Sequence, residues 1–208
     1  MTPETIATHL RHDLLTGALR PGDKLNQAEI AARFSVSRIP ARDALALLAA
    51  EGLIDQTPNR GARVLSLTPD EIDEVFDLRV MLETDCLARA IPRMTPDSLA
   101  TLDYALKRSD VEATGPDWAA GDAMFHETLY APSGRRQQIA LIARLRRTCQ
   151  LHIAAWRALP AKTPLWLSDH ARLVELTRAA DIPAATACLT DHLRNAQLTL
   201  QSAMAARP

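Results

Sequence analysis

The stretch 26–52, NQAEIAARFSVSRIPARDALALLAAEG, leaves this chain few ways to fold. It reads as two short helices with only SVS between them. Asn26 is an N-cap and Glu29, three residues on, completes a capping box, so the first helix opens there and runs to about Phe34. Ser37 caps the second helix, and Pro40 falls in its first turn, where a missing N–H costs little. Gly52 ends it as a left-handed C-terminal residue. So short a break turns the chain sharply from one helix into the next.

The flanks complete a unit. Upstream, Ile6, Leu10, Leu14 and Leu15 keep helical spacing as far as Gly17, and RPGDKL makes a turn. Downstream, LIDQTP and ARVLSL read as two short strands joined by NRG. Three short helices followed by a hairpin predict a winged helix-turn-helix, a reader of double-stranded DNA. Its recognition helix must carry hydrogen-bond donors near its N-terminus, and Ser37, Arg38 and Arg42 stand there. Arg38 and Arg42 are four apart and share a face; arginine binds guanine in bidentate fashion or holds a phosphate. At the wing tip Arg60 can enter a groove while Gly61 allows close backbone approach. Bulk charge adds nothing to this reading, because residues 1–66 hold eight Lys/Arg against seven Asp/Glu.

Beyond Leu67 the pattern is purely helical. TPDE from Thr68 combines an N-cap, proline at the first helical position and a capping box. Similar starts follow at Thr95, Gly115 and Thr163, with others near Ser133 and Asp181. The expectation is a mainly α protein: residues 1–67 a winged helix-turn-helix with a small β-hairpin, residues 68–208 an all-helical bundle of about six helices. Cys86, Cys149 and Cys188 lack metal-type spacing and read as reduced core thiols. The charged N-terminus is no signal peptide, and no apolar run can span a membrane. A cytoplasmic location is expected.

One segment of the second half carries chemistry. In GDAMFHETLY, Asp122 and His126 lie one helical turn apart, on a face with Trp118, Phe125 and Leu129. His170, with Leu167, Leu173 and Val174, and His192, with Cys188, Leu189 and Ala196, also sit on inward faces. A buried carboxylate without a partner costs several kcal/mol or takes up a proton. A divalent cation held by Asp122, His126, His170 and His192 removes that cost and accepts the neutral imidazoles; zinc comes first, with nickel or manganese as alternatives. Open positions on such an ion suit water or a substrate oxygen, so a metal-dependent hydrolase is a rival reading, but the chain has no H-E-x-x-H arrangement. His152 is a spare candidate on the fourth helix of this bundle.

The segment from LRPGDKLNQAEIAARF through SVSRIPARDALALLAAEGL to NRGARV resembles the DNA-binding domain of GntR-family transcription regulators. The resemblance implies that Ser37, Arg38 and Arg42 contact DNA, with Arg60 and Gly61 in a minor-groove wing. Asp43 stands where the family usually has Glu, and Gln27 where many members have Glu. EVFDLRVMLE, DAMFHETL and SDHARLVELTRAADIPAATACLTDHL resemble the FCD effector domain of the FadR subfamily, in its shorter, VanR-like form. That similarity implies Asp122, His126, His170 and His192 as metal ligands and Arg79 as the clamp on a small carboxylate effector. It further implies a homodimer on a palindromic operator, usually as a repressor. A metal sensor with no organic effector is the nearest alternative. The family's SGN reads SGRR here, with Arg135 in place of Asn.

Overall fold

The structure, a computed structural model, describes residues 1–57, 61–115, 118–155 and 163–205. The chain divides into two compact units.

The N-terminal unit holds α1 (Pro3–Leu15), β1 (Lys24–Leu25), α2 (Gln27–Arg33), α3 (Arg38–Ala50), β2 (Ile54–Thr57) and β3 (Gly61–Val64). Thr2 caps α1 by accepting from the Thr5 amide, and Asn26 caps α2 by accepting from Ala28. Gly52 has φ of 74°, as a left-handed helix end requires. The two strands read from the sequence pair antiparallel, Ile54 opposite Val64 and Gln56 opposite Ala62. A third, β1, joins the other edge of β3 and gives the order β1-β3-β2. Two residues are too few for a period-2 pattern, which is why β1 is invisible in the sequence.

The core of this unit is formed by Ile6, Leu10 and Leu14 of α1 with Ala41, Leu45 and Leu48 of α3, closed by Leu53 and Val64. Residues 147–155 cluster with this unit and not with the C-terminal one, and Leu151 belongs to its apolar core. The sequence boundary at residue 67 does not anticipate that exchange.

The C-terminal unit is helical throughout the described residues. It comprises α4 (Pro69–Ala90), α5 (Pro96–Glu112), α6 (Trp118–Tyr130), the first half of α7 (Arg136–Ala155), α8 (Thr163–Arg178) and α9 (Ile182–Ala205). The six helices are those the start signals predict. Thr95 and Ser98 form a reciprocal capping box on α5. Asp181 Oδ1 accepts from the Ala184 amide at 3.0 Å and opens α9. Arg135 stays exposed and bonds Gln138, and the Ser133 hydroxyl accepts from its amide. The Asn-to-Arg departure is therefore absorbed locally.

Packing is pairwise: α4 on α9, α5 on α6, and α8 on α9. At Ala179–Asp181 the chain reverses from α8 to α9, with Ala180 at φ of 55° and the Asp181 amide donating to the Leu176 carbonyl. Gly121 lets α6 approach α5 closely, because a Cβ there would sit 3.3 Å from Ser109 Cα and 2.7 Å from Glu112 Oε2. Gly121→Ala gains about 1 kcal/mol of helix propensity but overpacks this seam by about 2 kcal/mol. The net loss of about 1 kcal/mol is expected to lower the thermal midpoint by about 2–4 °C. An unchanged or raised midpoint would show that the close approach is dispensable.

Candidate metal site and nucleic-acid surface

Helical spacing brings the acid and the imidazoles to one place. Asp122 and His126 come from α6, His170 from α8 and His192 from α9, and the three imidazoles are buried. One ring nitrogen from each lies within 4.8 Å of the others. His126 Nε2 and His170 Nε2 are 3.3 Å apart. Asp122 Oδ1 lies 3.6 Å from the first and 3.8 Å from the second. Two nitrogens bound to one zinc ion at about 2.1 Å, near the tetrahedral angle, are separated by about 3.4 Å. The donor set fits a divalent ion.

Hydrogen bonds at the far ring nitrogens fix which atoms face inward. Glu83, fully buried on α4, only accepts when ionised, so Tyr130 donates its hydroxyl proton to Oε2 at 2.7 Å. The Tyr130 oxygen then accepts from His126 Nδ1 at 3.1 Å. This places the ring proton on Nδ1 and leaves a bare lone pair on Nε2. His192 Nδ1 donates to Asp169 Oδ2 at 3.2 Å, and His170 Nδ1 is 3.3 Å from Ser109 Oγ. Each imidazole thus has an oxygen partner behind it. Two bare nitrogens 3.3 Å apart must share a cation or a proton, and without an ion His170 Nε2–H donates to His126 Nε2.

The electrostatics rest on a residue that the sequence reading missed. Arg146 on α7 donates NH1 to Glu83 Oε2 at 2.8 Å and NH2 to Asp122 Oδ2 at 2.7 Å. Asp122 therefore has a cationic partner without any metal, so the carboxylate does not by itself call for an ion. Burial alone would raise its carboxyl, but Arg146 and His170 overcome that and hold it at about 2. Burial likewise works against the Glu83 charge, and Arg79 and Arg146 pull its carboxyl below the ordinary range. The imidazoles go the other way. Burial, then Arg146, pushes His126 far down; burial, then His192, pushes His170 to about 3. Burial and the Glu83 charge push the Tyr130 phenol far up, so it stays a donor.

Arg79 is buried on α4 with Nε on Glu83 Oε1 at 2.7 Å and its guanidinium over the Phe76 ring at 4.8 Å. Its pair with Glu83 is internal and no surface i,i+4 bridge. His152 is not part of the imidazole cluster; it is buried, with Nδ1 bonded to the Thr148 carbonyl and Nε2 accepting from the Leu67 amide. Arg146 had a signal, since it falls on the inward stripe of Ile142, Cys149 and Ile153. Tyr130 had one too, four residues after His126.

On the N-terminal unit Ser37, Arg38 and Arg42 are exposed at the start of α3. Ser37 occupies the N-cap position but makes no capping bond with its side chain, a departure from the expected cap. Arg38 lines a concave surface with Lys24, Gln27 and Gly61, and Gly61 has φ of 84° with open space where a Cβ would stand. Lys24 and Gln27 were not among the expected contacts. Arg42 donates Nε and NH2 to Asp43 Oδ1 at 3.0 and 2.9 Å, so Asp43 partly masks it. Arg60 lies outside the described residues.

Comparison with known proteins agrees with this architecture. Residues 2–64 match the model for bacterial regulatory proteins of the gntR family, and residues 74–195 match the FCD domain. The HTH-type transcriptional repressor GlaR of Escherichia coli (strain K12) is 26% identical over 207 residues, 94% of each chain. The gluconate operon transcriptional repressor of Bacillus licheniformis is 34% identical over 132 residues, 60% of this chain; the match spans about half, 52%, of that repressor. A putative transcriptional regulator GntR from Rhodococcus sp. RHA1 superposes with a TM-score of 0.81 at 22% identity, covering 99% of both chains, which shows the fold. Among the described residues no helix is long and apolar enough to cross a membrane. A winged helix-turn-helix, an FCD domain and relatives that are regulators and not enzymes place this chain in the GntR family of DNA-binding transcription regulators.

Proposed function

We propose that this regulator is a cytoplasmic, homodimeric repressor whose C-terminal domain holds a divalent metal ion on Asp122, His126, His170 and His192. Beside that ion it takes a small organic acid, and binding of the acid changes affinity for a palindromic operator. The observation that carries the reading is the set of three buried imidazoles, each with Nδ1 engaged by an oxygen behind it. Orientation of that kind holds ligand histidines ready for an ion. Zinc is the first choice, and nickel or manganese suit the same donors. When bound, the ion supplies positive charge and open positions for a carboxylate.

Charge balance supports an acid as the effector. Arg79 and Arg146 are bonded to two carboxylates, Glu83 and Asp122; a third, Asp169, is bonded to His192, and burial keeps the His126 and His170 imidazoles neutral. With His192 counted as a neutral ligand, two arginines against three carboxylates leave one net negative charge, and a divalent ion turns that into one net positive charge. In a buried site such a surplus favours a monoanion. Arg79 is the carboxylate contact in this reading, with its planar fork as the matching group.

For the reader domain the reading assigns Ser37, Arg38 and Arg42 of α3, with Arg60 and Gly61 of the wing, to DNA. The uncommitted Ser37 hydroxyl at a helix N-terminus suits a phosphate. Coupling requires the acid to prefer one of two arrangements of the dimer.

Arg38→Ala is expected to abolish operator retention in a gel-shift assay while metal content stays at the wild-type level. Retention equal to the wild type would remove Arg38 from the reader.

The metal-free protein should also lose stability in acid. Histidine in the unfolded chain titrates near 6.5, whereas His170 folded titrates at about 3 and His126 also lies far below its ordinary value. Between those limits the unfolded state binds more protons, so stability falls as pH drops from about 6.5 toward about 3. The unfolding midpoint in chelator should decline steadily from about pH 7 to about pH 4.5. A flat midpoint over that range would mean that the imidazoles are solvated.

A further inference from the structure

One large apolar side chain of α3 is left in solvent. Ile39, in the first turn of the helix, is 63% exposed, against 38% for Leu47, the other exposed large apolar residue there. At about 100° per residue, Ile39 falls roughly opposite the mean direction of Ala41, Ala44, Leu45 and Leu48, which face the core of the unit. It is therefore the outermost point of the helix. Ala46 and Ala50 continue that outer stripe, both exposed, and Asp43 beside them turns its carboxylate to Arg42. The stripe thus carries one apolar knob, at its N-terminal end. Helical Cβ atoms tilt toward the N-terminus, which pushes the knob further to that end. Being β-branched, Ile39 keeps mostly one χ1 rotamer in a helix and loses little freedom on contact.

A lone aliphatic at a surface is ordinary. The place of this one limits what it can touch. Arg38, one residue before it, lines the concave surface with Lys24 and Gly61, so cationic groups flank an uncharged knob. A major groove is about 12 Å wide and admits one helix, whose outermost side chains meet the base edges. Those edges are hydrogen-bond donors and acceptors, with a single apolar group among them, the C5 methyl of thymine. Isoleucine offers neither donor nor acceptor. Against a cytosine amino group or a guanine oxygen it would remove water without replacing the lost bonds.

We infer that Ile39 is a specificity-determining residue that reads a thymine, its side chain seated on the C5 methyl at the floor of the major groove. The inference rests on the reading of α3 as the DNA reader.

The test begins with an operator selected from a randomised duplex pool by the full-length chain. Each thymine of that operator is then replaced in turn by deoxyuridine, which lacks only the C5 methyl, and affinity is measured by fluorescence anisotropy. One thymine per half-site is expected to matter, its replacement weakening binding about fourfold, the worth of one buried methyl. Ile39→Ala should bind the unmodified operator more weakly and lose the response to that replacement. Because Ile39 is exposed, the variant should keep the wild-type thermal midpoint. Absence of any responsive thymine, or a response that survives in Ile39→Ala, would overturn the inference; the reading of α3 stands in that case if Arg38→Ala still abolishes retention. A pool that yields no enriched sequence, or Arg38→Ala and Ile39→Ala both binding as the wild type does, would overturn the reading of α3 and this inference with it.

Discussion

The bonds from Arg146 to Glu83 and Asp122 govern the rest of the effector unit. A single planar guanidinium on α7 spans carboxylates from α4 and α6, residues 63 and 24 positions away in sequence. Without it the fully buried Glu83 would keep only Arg79 as a cationic partner and the partly buried Asp122 would lose its bonded guanidinium; for a fully buried pair such a break commonly costs about 3–5 kcal/mol. Its influence reaches further than its own contacts. Because Arg146 and Arg79 keep Glu83 ionised, Glu83 can only accept, Tyr130 must donate to it, and His126 must carry its proton on Nδ1. The choice of His126 Nε2 as the inward atom is thus made on α7 and α4, two helices that contribute no imidazole to the cluster.

Much of the fold could be read from local signals, because they are local in origin. Caps at Thr2, Asn26 and Thr95, the left-handed Gly52 and the hairpin of β2 and β3 each depend on residues within a few positions of one another. The i,i+4 pair Asp122 and His126 was legible for the same reason, and His170 and His192 followed from apolar neighbours on their own faces. Arg146 was not, although its helical spacing pointed inward, since nothing in RLRRTC indicates which of three arginines meets carboxylates on other helices. The pairing of α7's later part with the N-terminal core was invisible too, because Leu151 looks the same in either core. Tertiary partners are chosen by complementarity across the fold, and a single sequence encodes that only jointly.

The two arginines of the recognition helix differ for a comparable reason. Arg38 lines the concave surface with Lys24 and Gly61, whereas Arg42 already spends two donors on Asp43, its neighbour in sequence. The pair is exposed, so it is weak and readily exchanged for a phosphate. If α3 meets DNA as proposed, Asp43 would bear on selectivity: an arginine that must leave a carboxylate gains less from a poorly placed phosphate than from a well placed bidentate partner.

The same logic of exchange applies at the buried site. Asp122 offers one oxygen to Arg146 and the other to the imidazoles, so an ion arriving there finds a carboxylate whose charge is already matched. An ion held by one shared carboxylate and three neutral imidazoles keeps part of its charge unspent, and the cheapest remedy inside a protein is an anion in the next position. An acid entering without the ion would meet the net negative set and be repelled. On the proposed reading, metal and acid would strengthen each other's binding by the same factor, since linkage between two ligands is reciprocal. On the proposed reading, a site of this construction would sense an acid through the metal, so that neither ligand alone would give the full response.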